Sequence, residues 1–508
     1  MAKRKATQTA SNSSAPSKPA PAKKARFSNP PPPAPAAASN KVKGKAVAPA
    51  PKPEITPYAP KRFVVAAGSY ERLLYGIECT FVPSNNEQEP YQLSVEPIFS
   101  FPAHLSSLRT VAASVLSSPA TGSERKVGGK YLVSGGTDEI IRVWDLRRKK
   151  EMGSLEGDTT GTITCMSFVP QRNMLLAASS DSTIALYRVR DWVLLRGLKG
   201  HKGRVNAVDA HPDGRVALSV GQDRMLRMWD LVAGKSVTAM KLGVEGDAVR
   251  WNTNGTKFVV ICNNNLTVYG LDMSIHHSLT APSRFHDARF CYFPLDTSDP
   301  TQREYLFVAC EDGKVRVFDV SEPTPIENDG QDLSELDLPK MEPFAELVGH
   351  SNRVKQMDLL EVALPSTSTA SSADSTVVLT TISSDGKIHL YDLARLSPPS
   401  TSTKAKKGKE TTPETTESEV KQIQPSASYD TDKTRLTCVC AVGMVERKGK
   451  NGAQQEEGGS ESESDEEEED SEDDEEEEEA LQSGEEDEFV GIGELEDEED
   501  EDEEEEDE

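Results

Sequence analysis

The chain has 508 residues, 85 acidic against 57 basic, and a formal net charge of −28. No apolar run approaches the roughly 18 residues of a membrane span, and the N-terminus lacks the apolar core of a secretory leader, so neither class is expected. The charge is uneven: 36 acidic residues and no Lys or Arg occupy 456–508, while residues 1–62 hold 13 Lys or Arg and one Glu.

The centre of the chain is close to neutral, so its two ends are expected to meet separate electrostatic partners. Seven cysteines, an odd number without CxxC spacing, fit free thiols in a reducing compartment. Cys438 and Cys440, two apart on an expected strand, point to one face, and no further ligands lie near them for a metal. GxxxxGK[ST], GxSxG and HExxH are absent. The expectation is therefore no enzyme, no catalytic or metal residue and no cofactor.

Residues 1–60 are rich in Pro, Ala, Ser and Lys and cannot bury enough surface to offset their ordering entropy, so a disordered basic tail is expected. Its clusters Lys3-Arg4-Lys5 and Lys23-Lys24-Ala25-Arg26 read as a nuclear-import signal or a nucleic-acid patch; a merely solubilising tail is the plain alternative. Strand patterning starts at Arg62. Arg62–Ala67, a turn at Gly68–Arg72 and Leu73–Cys79 read as two strands of a unit that has no first strand before it. Pro97–Phe101 supplies another.

Units of about 40 residues follow, each with short alternating runs bounded by turn residues. The fullest is His201–Leu231. It opens on Gly200-His201, carries strands at Val205–Ala210 and Val216–Val220 with turns at Asp213-Gly214 and Gly221–Asp223, and closes on Trp229-Asp230. This pattern resembles a WD40 repeat, one blade of a β-propeller. The resemblance implies a structural hydrogen-bonded tetrad of Asp223, His201, Ser219 and Trp229. It implies the same for His104, Ser134, Asp138 and Trp144, and for the variant set His350, Thr381, Asp385 and Tyr391.

Closing aromatics are spaced 43, 42, 40 and 49 residues apart from Trp144 through Tyr187, Trp229 and Tyr269 to Phe318, then 73 to Tyr391. They define blades one to six. Blade two lacks the His and closes on Tyr187-Arg188, blade four has Asn264 for the turn Asp, and blade five has Phe318. Leu436–Val442 reads as an isolated strand. If it is the missing first strand of the unit begun at Arg62, chain ends meet in a composite blade and the ring closes. The expected fold is all-β: a seven-bladed WD40 propeller over 61–445, with low-complexity inserts near 321–343, 363–376 and 397–430. An acidic disordered tail follows over 446–508.

His276 and His277 are adjacent on a strand and face opposite ways, which does not suit a shared metal. Arg204 and Asn206, Arg353 and Lys355, just after a His, and Arg224, just after a turn Asp, are candidate partner-binding residues at a loop face. In the acidic tail Ser460, Ser462, Ser464 and Ser471 each precede an acidic residue by three positions, which suits an acidophilic kinase.

Four runs resemble the p21-activated-kinase-interacting protein family of nucleolar WD-repeat proteins: Gly68–Gly76 (GSYERLLYG), Ala103-His104-Leu105, Leu132–Asp138 (LVSGGTD) and His201–Val208. The resemblance implies a non-catalytic scaffold in nucleolar assembly of the large (60S) ribosomal subunit. It would act in pre-rRNA processing and in placing ribosomal or ribosomal-like proteins. Its expected partners are the pre-60S particle, other assembly factors and rRNA, with neither a membrane nor a small-molecule substrate. Two alternatives stand beside it: an adaptor that binds and negatively regulates a p21-activated kinase, and a chromatin or histone-binding adaptor.

Overall fold

The computed structural model describes residues 59–86, 89–116, 127–155, 160–293, 303–321, 341–365, 375–396 and 420–444. Both charged tails and most of the three inserts lie outside these residues. Apart from one 3₁₀ turn at Leu393–Arg395, the described elements are strands.

The alternating runs become strands because each has apolar residues for two neighbours. Val205–Ala210 and Val216–Gly221 pair antiparallel, followed by Met225–Asp230 and Lys235–Lys241. Blade two (Ile163–Lys199) and blade four (Ala248–Thr280) repeat this four-stranded meander. Each hydrophobic cluster is shared by two adjacent blades. Leu176, Ile184 and Leu186 of blade two meet Val208, Ala217 and Trp229 of blade three in one of them. Gly214 shows how close the approach is: φ is 70°, and a Cβ there would lie 2.3 Å from the Pro170 carbonyl of blade two.

Among the described residues, blades two to six are five separate sheets and the other eight strands form one continuous sheet. Seven separate sheets were the expectation. The difference has a local cause: Leu436–Met444 pairs antiparallel along Arg62–Ser69, and its last two residues also pair in parallel with Val127 and Gly128. That short bridge joins the unit built from the two chain ends to blade one.

The reading of 397–430 as a low-complexity insert needs correction at its end. Lys421–Ile423 adds in parallel to Ala345–Leu347 at the rim of blade five, and Ala427–Asp430 is the outer strand of blade six. Outer strands face solvent, as the exposed Lys150–Leu155 and Lys235–Lys241 do, so their sequences need not look apolar. In blade one the second strand runs Val127–Gly136.

Candidate partner-binding site at the channel mouth

The tetrads fix the loops that carry the site. In blade three the Trp229 indole N–H donates to Ser219 Oγ at 2.8 Å, and Ser219 Oγ lies 2.6 Å from His201 Nε2. His201 Nδ1 lies 2.8 Å from Asp223 Oδ2. With the ring proton on Nδ1, every donor in this chain has one acceptor. Burial outweighs the pull of Asp223 and holds the His201 pKa below its ordinary value, so the ring is neutral. Asp223 also accepts the Lys202 N–H with Oδ2 and the Met225 N–H with Oδ1, tying loop and turn together. Blade one repeats the geometry: Trp144 to Ser134 at 2.8 Å, Ser134 to His104 at 2.8 Å, His104 to Asp138 at 2.9 Å.

The other blades depart from this in instructive ways. In blade six His350 lies 2.8 Å from Thr381 and 3.3 Å from Asp385, but the Tyr391 hydroxyl donates to the Val348 carbonyl at 3.0 Å. A phenol reaches further than an indole N–H and finds the backbone. In blade five Phe318 and Val308 pack in an apolar cluster, while Asp312 turns to Arg316. Replacing both partners of a buried bond by apolar groups costs little, whereas removing one leaves the other unsatisfied. Trp229→Phe is therefore expected to destabilise by about 1 kcal/mol, and His201→Ala, which strands the Ser219 hydroxyl, by about 1–3 kcal/mol. Chemical denaturation of both variants checks the order.

The first strands of successive units stand side by side in a closed circuit: Leu108–Leu116, Ile163–Val169, Val205–Ala210, Ala248–Trp251, Phe285–Phe293, Val354–Ala363, Leu436–Met444 and back to Leu108–Leu116. Each neighbouring pair is tied by a polar side chain. Thr110 accepts the Met166 N–H (3.0 Å), Thr164 donates to the Val205 carbonyl (2.6 Å) and Asp209 accepts the Trp251 N–H (2.9 Å). Arg250 pairs with Asp287 (3.2 Å), which accepts the Met357 N–H (3.3 Å). Asp358 accepts the Ala441 N–H (2.9 Å), and Thr437 donates to the Leu108 carbonyl (2.9 Å). Bonds between near-equivalent positions mean that the strands run the same way, with their starts at one mouth of the channel.

At that mouth the register shifts just after the first residue in all but one of these strands, which leaves Arg109, Thr164, Asn206, His286, Lys355 and Thr437 as the extra residues of β-bulges. Bulges of this kind re-aim a side chain. Of the expected partner-binding residues, Arg204 and Asn206 share Glu245, at 2.9 and 2.8 Å. Arg353 lies 3.6 Å from Glu311, and Lys355 is half-buried beside it. Arg224 is exposed at φ 59°, on the turn after Asp223.

Burial and then the charges of Arg353, Arg284, Arg109 and Arg435 push the Lys355 amine down to about 8. Arg109, Arg284 and Arg435 therefore belong to the same cluster. Arg109 stands at the same offset from its His as Lys355 does from His350. Arg284 and Arg435 immediately precede first strands, Phe285–Phe293 and Leu436–Met444, that have no His in front of them.

Blade six also carries a pH-sensitive element. His389 is buried, its ring 4.2 Å from that of His350, and burial followed by that neighbour pushes its pKa down to about 4. Burial and Lys257 do the same to His277, also to about 4. Both rings are neutral when folded and take a proton more readily when unfolded. Their stabilisation is thus complete above about pH 6.5 and is lost as pH falls toward 4. Melting temperature is expected to drop over that window, and His389→Gln to flatten the drop. An unchanged profile in the variant would contradict the assignment.

His276 and His277 face opposite sides of their strand, the first half-buried and the second buried. Cys438 and Cys440 share one cluster. Among the described residues no three His, Cys, Asp or Glu are grouped to hold a metal ion. The import clusters and the tail serines lie outside the described residues.

The family model for the WD domain, G-beta repeat, matches residues 95–145, 149–188 and 192–230. With the meander sheets and tetrads above, the chain is a WD40-repeat β-propeller protein. It is 35% identical over 227 residues to a p21-activated protein kinase-interacting protein 1-like of Gallus gallus, covering 44% of this chain and 55% of that one. A protein of the same name in Danio rerio is 27% identical, covering 65% and 73%, and Protein MAK11 of Saccharomyces cerevisiae is 28% identical, covering 66% and 78%. The chain thus resembles the p21-activated-kinase-interacting proteins, though it spans about half the length of the chicken relative.

Proposed function

We propose that this protein is a non-catalytic scaffold in nucleolar assembly of the large ribosomal subunit, where it handles basic ribosomal or ribosomal-like proteins near pre-rRNA. The observation that carries the reading is the charge layout. A propeller built to present loops is flanked by a segment of net +12 (residues 1–62) and by one with 36 acidic residues and no basic one (456–508). The first suits nuclear import and RNA, and the second suits screening of basic assembly partners. The resemblance drawn from Gly68–Gly76 and Ala103–Leu105 points the same way.

In this reading the eight-stranded sheet counts as two blades, so that the circuit of first strands makes a ring of seven. The acidic tail is taken as the site of acidophilic phosphorylation at Ser460, Ser462, Ser464 and Ser471. Depletion followed by pulse-labelling of rRNA tests the function. Large-subunit rRNA is expected to stall as precursors while small-subunit rRNA matures; normal maturation of both would overturn it. A second reading, an adaptor for a p21-activated kinase, is favoured by the names of the animal relatives. Binding to such a kinase with unaltered rRNA would select it.

A further inference from the structure

Half of the cations at the channel mouth are already matched. Arg204 pairs with Glu245, Arg284 with Asp247, and Arg353 lies near Glu311, which also bonds His286. The rest are not matched in this way. Arg109, Lys355 and Arg435 start three consecutive first strands, and among the described residues none of the three forms an ion pair with a carboxylate. Arg435 instead lies over the Tyr70 ring, 5.6 Å from its centre. Two apolar side chains lie close to this arc and face solvent: Tyr70, 57% exposed, and Leu105, 76% exposed, whose carbonyl accepts from Arg72.

We propose that the arc formed by Arg109, Lys355 and Arg435, with Tyr70 and Leu105 at its edge, is a docking site for an acidic peptide segment of a partner protein that carries an apolar residue among its carboxylates. Three features select a peptide over an RNA backbone. The mouth already satisfies its arginines with carboxylates, one apiece, and the open cations repeat that arrangement. The positive arc is short, because Glu245 and Asp247 line the remainder of the mouth, Glu311 lies by Arg353 and Lys355, and Glu71 accepts the Arg435 backbone N–H, whereas a phosphodiester chain gains affinity by neutralising a longer run of charges. Tyr70 and Leu105 give an apolar side chain somewhere to bury, and aromatic and Arg anchors dominate such contacts. Burial first and the surrounding arginines second hold the Lys355 pKa down, and an incoming carboxylate would offset the second of these.

The test is fluorescence anisotropy on the full chain. The probe is a short labelled peptide of Glu and Asp around one Leu, with the Gln-for-Glu peptide and oligouridylate as competitors. Arg109→Glu with Arg435→Glu alters exposed side chains, and circular dichroism melting verifies its fold. Lys235→Glu on an outer strand is the control. The expected result is a loss of at least about tenfold in the double variant, little change in the control, and weak competition by oligouridylate. No binding of the peptide, equal affinity in the double variant and the control, or tight displacement by oligouridylate would each overturn the proposal; the last would assign the arc to RNA.

Discussion

A chain ended ahead of Leu436 is expected to lose its fold, while one ended at Val445 keeps it. The closing strand Leu436–Met444 is buried on both faces. Leu436, Val439 and Ala441 pack with blade six, and Cys438, Cys440 and Val442 pack on the side of blade one. Burying Leu436, Val439 and Val442 alone is worth about 1.5–3 kcal/mol each, comparable in sum to the whole net stability of a domain, about 5–15 kcal/mol. Its backbone also covers the edge of Arg62–Ser69, which would otherwise be open to pairing with other chains. Far-ultraviolet circular dichroism and size-exclusion chromatography compare the two truncations. Aggregation of the shorter one alone is the expected result. A monomer that melts like the longer chain would show that the ring does not depend on its last strand.

The second large effect is expected at Asp287. It is 2% exposed, pairs with the buried Arg250 guanidinium at 3.2 Å, accepts the Met357 N–H and lies 3.8 Å from Arg289. One carboxylate thereby links blades four, five and six. Burial alone would lower the Arg250 pKa, but the charge of Asp287 together with Cys165 and Asp209 more than offsets it, so Arg250 stays ionised. Asp287→Ala leaves that charge without its partner, for an expected loss of about 3–5 kcal/mol. Replacing both, Asp287→Leu with Arg250→Met, should recover part of this but not all, because the Met357 N–H remains unpaired. Urea denaturation of single and double variants measures it. A double variant no better than the single would place the cost in the Met357 and Arg289 contacts instead.

What was legible in the sequence follows from which forces leave a local mark. The tetrads of blades one and three could be read because turn Asp, loop His, strand Ser and closing Trp must sit at fixed offsets to hydrogen-bond in series. The pairing of the two chain ends followed from a unit lacking a first strand and a strand lacking a unit. The strands at Lys421–Ile423 and Ala427–Asp430 were hidden because solvent-facing strands carry no apolar period, and they follow a Ser/Thr/Lys-rich stretch. The bridge from Gly443 and Met444 to Val127 and Gly128 depends on where two distant segments end up. At the channel mouth, offsets from His350 reached Arg353 and Lys355. Arg284 and Arg435 were missed because their units dispense with the His, so only the folded register brings them beside Lys355.

The function rests most directly on where the protein sediments. Sucrose-gradient fractionation of cell extract, probed for this protein and for precursor rRNAs, is predicted to find it near 60S with large-subunit precursors and to release it on RNase treatment. Confinement to the light fractions, free of rRNA, would contradict the assembly role and leave the kinase adaptor as the leading reading.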